Sequence, residues 1–160
     1  MRKLFSNGVI ALAGIVAPQD TGQAERVIQL YANDQRLLQL QDLFEELRSP
    51  AVDFAEDFLA AADRHKLDWR LLPSIAIIES GGGKEYRNNN IFGWDNCRRR
   101  FPSIAAGIHA VAERLSQSSL YRDKTLDELL ETYNNRDGYA QRVKFVMRKL
   151  APAPAAQYLN

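Results

Sequence analysis

The 160-residue chain has one cysteine, two histidines and no excess of either charge, with 21 Lys and Arg against 20 Asp and Glu. The lone thiol, Cys97, excludes an internal disulfide, so the fold must rest on its core. It reads as an incidental surface thiol followed by Arg98, Arg99 and Arg100. His65 and His109 do not have metal-ligand spacing, so no zinc or other metal site is expected. No cofactor is expected either. Gly83-Lys84 is not a phosphate loop, because Ile78 stands where the earlier glycine belongs and Glu85 replaces the Ser or Thr. Neither a G-x-S-x-G elbow nor a Cys–His arrangement is present. The balanced charge gives no electrostatic case for nucleic acid. Strand-like alternation of apolar and polar residues is missing. The apolar run Val9–Ala17 is too short to cross a bilayer.

What is present is a near-average soluble composition and a length suited to one domain. Arg2 and Lys3 precede the Val9–Ala17 run, and Gly22-Gln-Ala24 offers small residues for a peptidase, so residues 1–24 read as an export signal. Cleavage is expected after Ala24; the alternative is an uncleaved segment acting as a loose membrane anchor. Export places the chain outside the cytoplasm, in a periplasm, a cell wall or the extracellular space. Residues 25–48 read as a helical arm with Leu40, Leu43, Phe44 and Leu47 on one stripe. This arm either packs on the domain or pairs with a partner.

Residues 49–150 read as the main domain. Ser49-Pro50 is an N-cap followed by proline, opening a helix to about Lys66. Further helices are expected over 69–80, 103–117, from the Thr125/Glu128 capping box to about Asn134, and over 139–150. A short hairpin or an irregular loop fits 86–101, and 151–160 reads as a flexible Ala/Pro tail. The fold class is all-α.

Chemistry concentrates at the end of the 69–80 helix. Leu72, Ile75, Ala76 and Glu79 share one face, so the Glu79 carboxylate follows an apolar stripe toward core or cleft. The negative end of the helix and partial burial both disfavour a second negative charge there, which suits a proton donor. Gly81, Gly82 and Gly83 then permit close approach to the backbone. Asn88, Asn89 and Asn90 supply amides that suit hydroxyls and N-acetyl groups. Phe92 and Trp94 offer flat apolar faces for sugar rings. Tyr133 lies on the inner stripe of its helix, so its hydroxyl needs a buried partner or a cleft.

Glu79-Ser80-Gly81, then Asn90-Ile-Phe92-Gly93, then Tyr133-Asn134 with Tyr139-Ala140 resemble the lysozyme-like peptidoglycan hydrolases. These include endo-β-N-acetylglucosaminidases and lytic transglycosylases. The resemblance covers about residues 50–150. It implies a helical lysozyme-like domain with Glu79 as catalytic acid. It also implies a glycan cleft formed by Ser80, Asn90, Phe92, Trp94, Tyr133 and Asn134, with peptidoglycan glycan strands as the partner. Asn90-Ile-Phe92-Gly93 is similar to the glucosaminidase pattern, whereas Tyr133-Asn134 looks like that of lytic transglycosylases.

A glycosidase usually pairs its acid with a second carboxylate. Glu85 and Asp95 are the nearest in sequence, and neither stands at a motif position. With one carboxylate, the substrate's own N-acetyl group would stabilise the cation. Water would then give hydrolysis, and the muramyl 6-hydroxyl an anhydro end. A non-catalytic glycan-binding module on the same scaffold is the reading from another class.

Overall fold

The computed structural model describes residues 31–150. The export-signal reading of 1–24 and the tail reading of 151–160 lie outside the described residues. Within them the fold is all-α, with helices α1 (Gln35–Glu46), α2 (Ala55–His65), α3 (Leu71–Ser80), α4 (Ile104–Gln117), α5 (Leu126–Tyr133) and α6 (Tyr139–Lys149). A 3-10 turn, Pro50–Phe54, leads into α2. No helix of the described residues is long and apolar enough to cross a membrane.

Local chemistry sets these boundaries. Asp34 caps α1, Ser49 caps the 3-10 turn, and Ser103 caps α4, each accepting a backbone N–H. Thr125 and Glu128 close both bonds of the capping box of α5. α3 starts at Leu71 rather than Trp69 because Asp68 takes the chain through a turn, accepting from the Arg70 and Leu71 N–H groups. Pro73 falls in its first turn, where a missing N–H leaves no bond unmade. Gly81, at φ +63, ends α3 in the left-handed conformation.

α3 is the centre of the fold. Leu71, Leu72, Pro73, Ser74, Ile75 and Ala76 are all buried. It packs mainly on α6, while α2 packs mainly on α4 and α1 lies against α2 and the 3-10 turn. Phe44, Phe58 and Phe92 form an aromatic line through the core, with centroids 5.6 and 6.3 Å apart.

Two polar joints hold α1 and α3 to this core. The Arg36 guanidinium forks onto Asp63 at 2.8 and 3.0 Å and also holds Asp34, and the Tyr31 hydroxyl donates to Asp63 at 2.9 Å. Arg36 keeps both carboxyls below their ordinary range, and burial followed by the Asp63 bond pushes the Tyr31 hydroxyl up to about 12. At the other joint, Ser49 Oγ donates to the Gly82 carbonyl at 2.7 Å and the Ala51 N–H joins it at 3.1 Å.

The segment 86–101 is an irregular loop rather than a hairpin, with one isolated bridge between Arg87 and Asn90. Asn88, Asn89, Asp95, Asn96 and Cys97 all have φ between +51 and +60. Asn and Asp tolerate this region better than most residues, so the Asn-rich composition meets a backbone requirement.

Candidate active site

Glu79 sits in the last turn of α3, one turn beyond the buried Ile75 and Ala76. The side chain is half-buried. Its Oε1 is fully buried and has no hydrogen-bond partner among the described residues. No cation pairs with it among them either. Gly93 closes over the other oxygen: a Cβ there would stand 2.8 Å from Oε2, and the residue has φ +64. Both facts require glycine at this position.

Two tyrosines back the carboxylate. The Tyr139 hydroxyl, from the start of α6, is buried without a partner and faces Glu79 without a closed hydrogen bond. Burial, and then the charge of Glu79, hold this hydroxyl well above its ordinary titration range. Tyr133 stacks on Tyr139 with centroids 6.1 Å apart and rings 7° from parallel. Its hydroxyl donates to the Phe92 carbonyl at 2.7 Å, which ties the end of α5 to the loop over Glu79. Burial is also the main cause that raises Tyr133. Both hydroxyls are therefore neutral at any ordinary pH.

Glu79, Gly93 and Tyr133 line a cleft of about 630 Å³, and Tyr139 is not part of its wall. That volume suits a small-molecule or sugar-sized ligand. Trp94 forms one wall, edge-on to Tyr133 at 5.4 Å and tilted against Tyr121 at 6.0 Å. Asn134, at the end of α5, also lines the cleft; its Oδ1 accepts from the Arg136 N–H, and its Nδ2 has no partner among the described residues.

Glu79, Trp94, Tyr133 and Asn134 are thus brought to one cleft. The side chains of three other expected contacts are engaged inside the protein, and the expectation for them is corrected. Ser80 is buried; its Oγ donates to the Ile91 carbonyl at 2.7 Å and accepts from the Gly83 N–H at 2.9 Å. Asn90 is 1% exposed. Its Nδ2 donates to the carbonyls of Trp94 and Arg99, and its Oδ1 accepts from the Trp94 N–H. Phe92 places its ring in the core against Phe58 and gives the cleft only backbone. Asn88 and Asn89 likewise bond carbonyls of their own loop.

Gly81, Gly82 and Gly83 do not form the cleft floor. Gly81 stops α3, and a Cβ on Gly82 would stand 2.2 Å from Ser49 Oγ. Of the two candidate second carboxylates, Glu85 is exposed and outside the cleft. Asp95 lines it but is exposed and bonded to Arg98 at 2.7 Å.

Sequence reasoning missed Tyr121, Glu131 and Arg136 as parts of the site, and named Tyr139 only within the resemblance, without a role. Tyr139 sits on an apolar stripe that reads as core, and Tyr121 lies between helices where no period marks it. Glu131 and Arg136 flank Tyr133-Asn134, which was the one available signal. Among the described residues, no group of three His, Cys, Asp or Glu side chains comes close enough to hold a metal. Chemically, the site offers one partly buried carboxylate without a counter-ion, neutral hydroxyls behind it, and aromatic walls in front. Compared with known protein families, with curated proteins and with solved structures, the chain matches none.

Proposed function

We propose that this protein is a lysozyme-like enzyme that cleaves the β-1,4-glycan strand of peptidoglycan outside the cytoplasm, in the manner of an N-acetylglucosaminidase. Glu79 is the general acid. The observation that carries the proposal is the buried, unpartnered Glu79 oxygen at an aromatic-walled cleft. A carboxylate serving only structure is normally hydrogen-bonded or ion-paired when buried. Trp94 provides an apolar face for a sugar ring, and the free Asn134 amide suits an N-acetyl or hydroxyl group.

In this reading the protonated Glu79 gives its proton to the glycosidic oxygen as the C1–O bond breaks. The substrate's acetamido oxygen stabilises the cation at C1. Water then attacks C1, and the proton it loses returns to Glu79. In the transglycosylase variant the muramyl 6-hydroxyl attacks C1 instead, and its proton likewise goes to Glu79. The other carboxylates lining the cleft, Asp95 and Glu131, are exposed, and Asp95 is bonded to Arg98. A site without a held second carboxylate leaves Glu79 as the base for either nucleophile and the acetamido group as the stabiliser of the cation. Digestion of purified peptidoglycan, with products identified by mass spectrometry, tests both variants. Reducing GlcNAc ends support the first, and anhydro-MurNAc ends the second. No release of sugars by the wild-type protein refutes both.

A further inference from the structure

A second pocket, of about 500 Å³, adjoins the first at Trp94 and does not include Glu79. Trp94 and Asp95 border both cavities. Phe101 and Val111 are buried and make its floor apolar. Arg99 from the loop and Arg114 from α4 supply its charge. Among the described residues neither guanidinium has a hydrogen bond or an ion pair, although Arg70 and Arg36 both find carboxylates. The only acid on the pocket wall, Asp95, is held by Arg98. The run Arg98–Arg100 is thus divided: Arg98 holds Asp95, Arg99 lines the pocket, and Arg100 lines neither cavity. Arg114 also lies close enough to the buried Tyr121 hydroxyl of the first cleft to oppose the rise that burial causes there. The positive pocket adjoins the aromatic cleft at Trp94 and Asp95.

We propose that this pocket is an accessory subsite for a carboxylate-bearing peptide arm carried by the glycan bound at Glu79. The inference rests on the glycan-cleaving reading. Two free guanidiniums over an apolar floor match a short peptide with small apolar side chains and an anionic end. Since the pockets share Trp94, a sugar stacked on that ring would point its substituent into the second cavity. The subsite would make the enzyme prefer glycan that still carries its peptides over bare glycan.

The test compares intact peptidoglycan with the same material stripped of peptides by an amidase, using wild type and an Arg99→Gln/Arg114→Gln double variant. Circular dichroism and the melting temperature first verify that the variant is folded. The expected result is a fall of about tenfold or more in the ratio of activity on intact to stripped glycan, the scale of lost charge-assisted hydrogen bonds. A ratio unchanged by the substitutions overturns the proposal. Calorimetric titration with muramyl dipeptide separates this failure from failure of the parent reading, because it needs no turnover. Wild type should bind the probe in a salt-sensitive manner, and the double variant at least about tenfold more weakly. Equal binding by both proteins overturns the subsite, as does inorganic phosphate displacing the dipeptide at equal concentration.

Discussion

Replacing Asn90 by alanine separates a structural asparagine from a sugar-binding one. The side chain makes three hydrogen bonds in a nearly waterless setting, at 2.8 and 3.1 Å to carbonyls and 3.0 Å from the Trp94 N–H. Each contributes about 1 kcal/mol net, and the Trp94 N–H and two carbonyls would lose their partner. Asn90→Ala should therefore cost about 3 kcal/mol, a large part of the roughly 5–15 kcal/mol that holds a domain together. In urea, with a slope of about 1.5 kcal/mol per M, the midpoint falls by about 2 M. Asn90→Asp keeps the acceptor but loses both donors, and it should fall by a similar amount because a buried charge is added. If Asn90→Ala instead shifts the midpoint by less than about 0.3 M while abolishing glycan binding, the loop-clamp account is wrong and Asn90 contacts the ligand.

Gly93→Ala should reduce glycan cleavage at least about a hundredfold, because its Cβ would press on Glu79 Oε2 at 2.8 Å, while the strain at φ +64 costs only about 1–2 kcal/mol of stability by thermal melting. Gly82→Ala should lower the melting temperature more than Gly93→Ala, since its Cβ would meet Ser49 Oγ at 2.2 Å; the order of the two melting temperatures checks this. The Asp34 and Asp63 carboxyls titrate below their unfolded values because Arg36 holds them. Their contribution is thus complete above the unfolded carboxyl pKa and is lost as pH falls through the lowered folded values. Tyr31, pushed up to about 12, acts in the opposite direction: its contribution is complete below the ordinary tyrosine value of 10.0 and is lost as pH rises toward 12. Urea midpoints measured across pH for wild type and Arg36→Ala should show the acid-side loss to be smaller in the variant.

Much of this was legible in the sequence because the signals are local. Ser49-Pro50, the Thr125/Glu128 box and the glycine after Ser80 each act within one turn, and each marks a helix end in the structure. The stripe Leu72, Ile75, Ala76, Glu79 also reports which way a carboxylate points, since helix phase alone decides it. The 86–101 segment is a loop, as its sequence reads, but of its expected sugar contacts only Trp94 lines the cleft, while Asn88, Asn89, Asn90 and Phe92 are engaged inside the protein. Asn90 and Ser80 have chemistry that suits a ligand, but that chemistry satisfies carbonyls of Trp94, Arg99 and Ile91, and pairings of this kind depend on how the loop coils. Phe92 was misread for a related reason: a ring beside a glycine looks the same in sequence whether it faces core or cleft. Tyr139 enters the sequence reading only through the Tyr139-Ala140 resemblance, because a core stripe and a wall behind a catalytic group share one period.

The central claim is that Glu79 delivers a proton to a glycan. Purified peptidoglycan is digested in parallel with wild type and Glu79→Gln, which keeps the shape and removes the acid, and soluble muropeptides are counted by mass spectrometry. The account predicts release by wild type and a loss of at least about a thousandfold in the variant, whose melting temperature stays close to that of wild type. Release of the same sugars at the same rate by both proteins would contradict it.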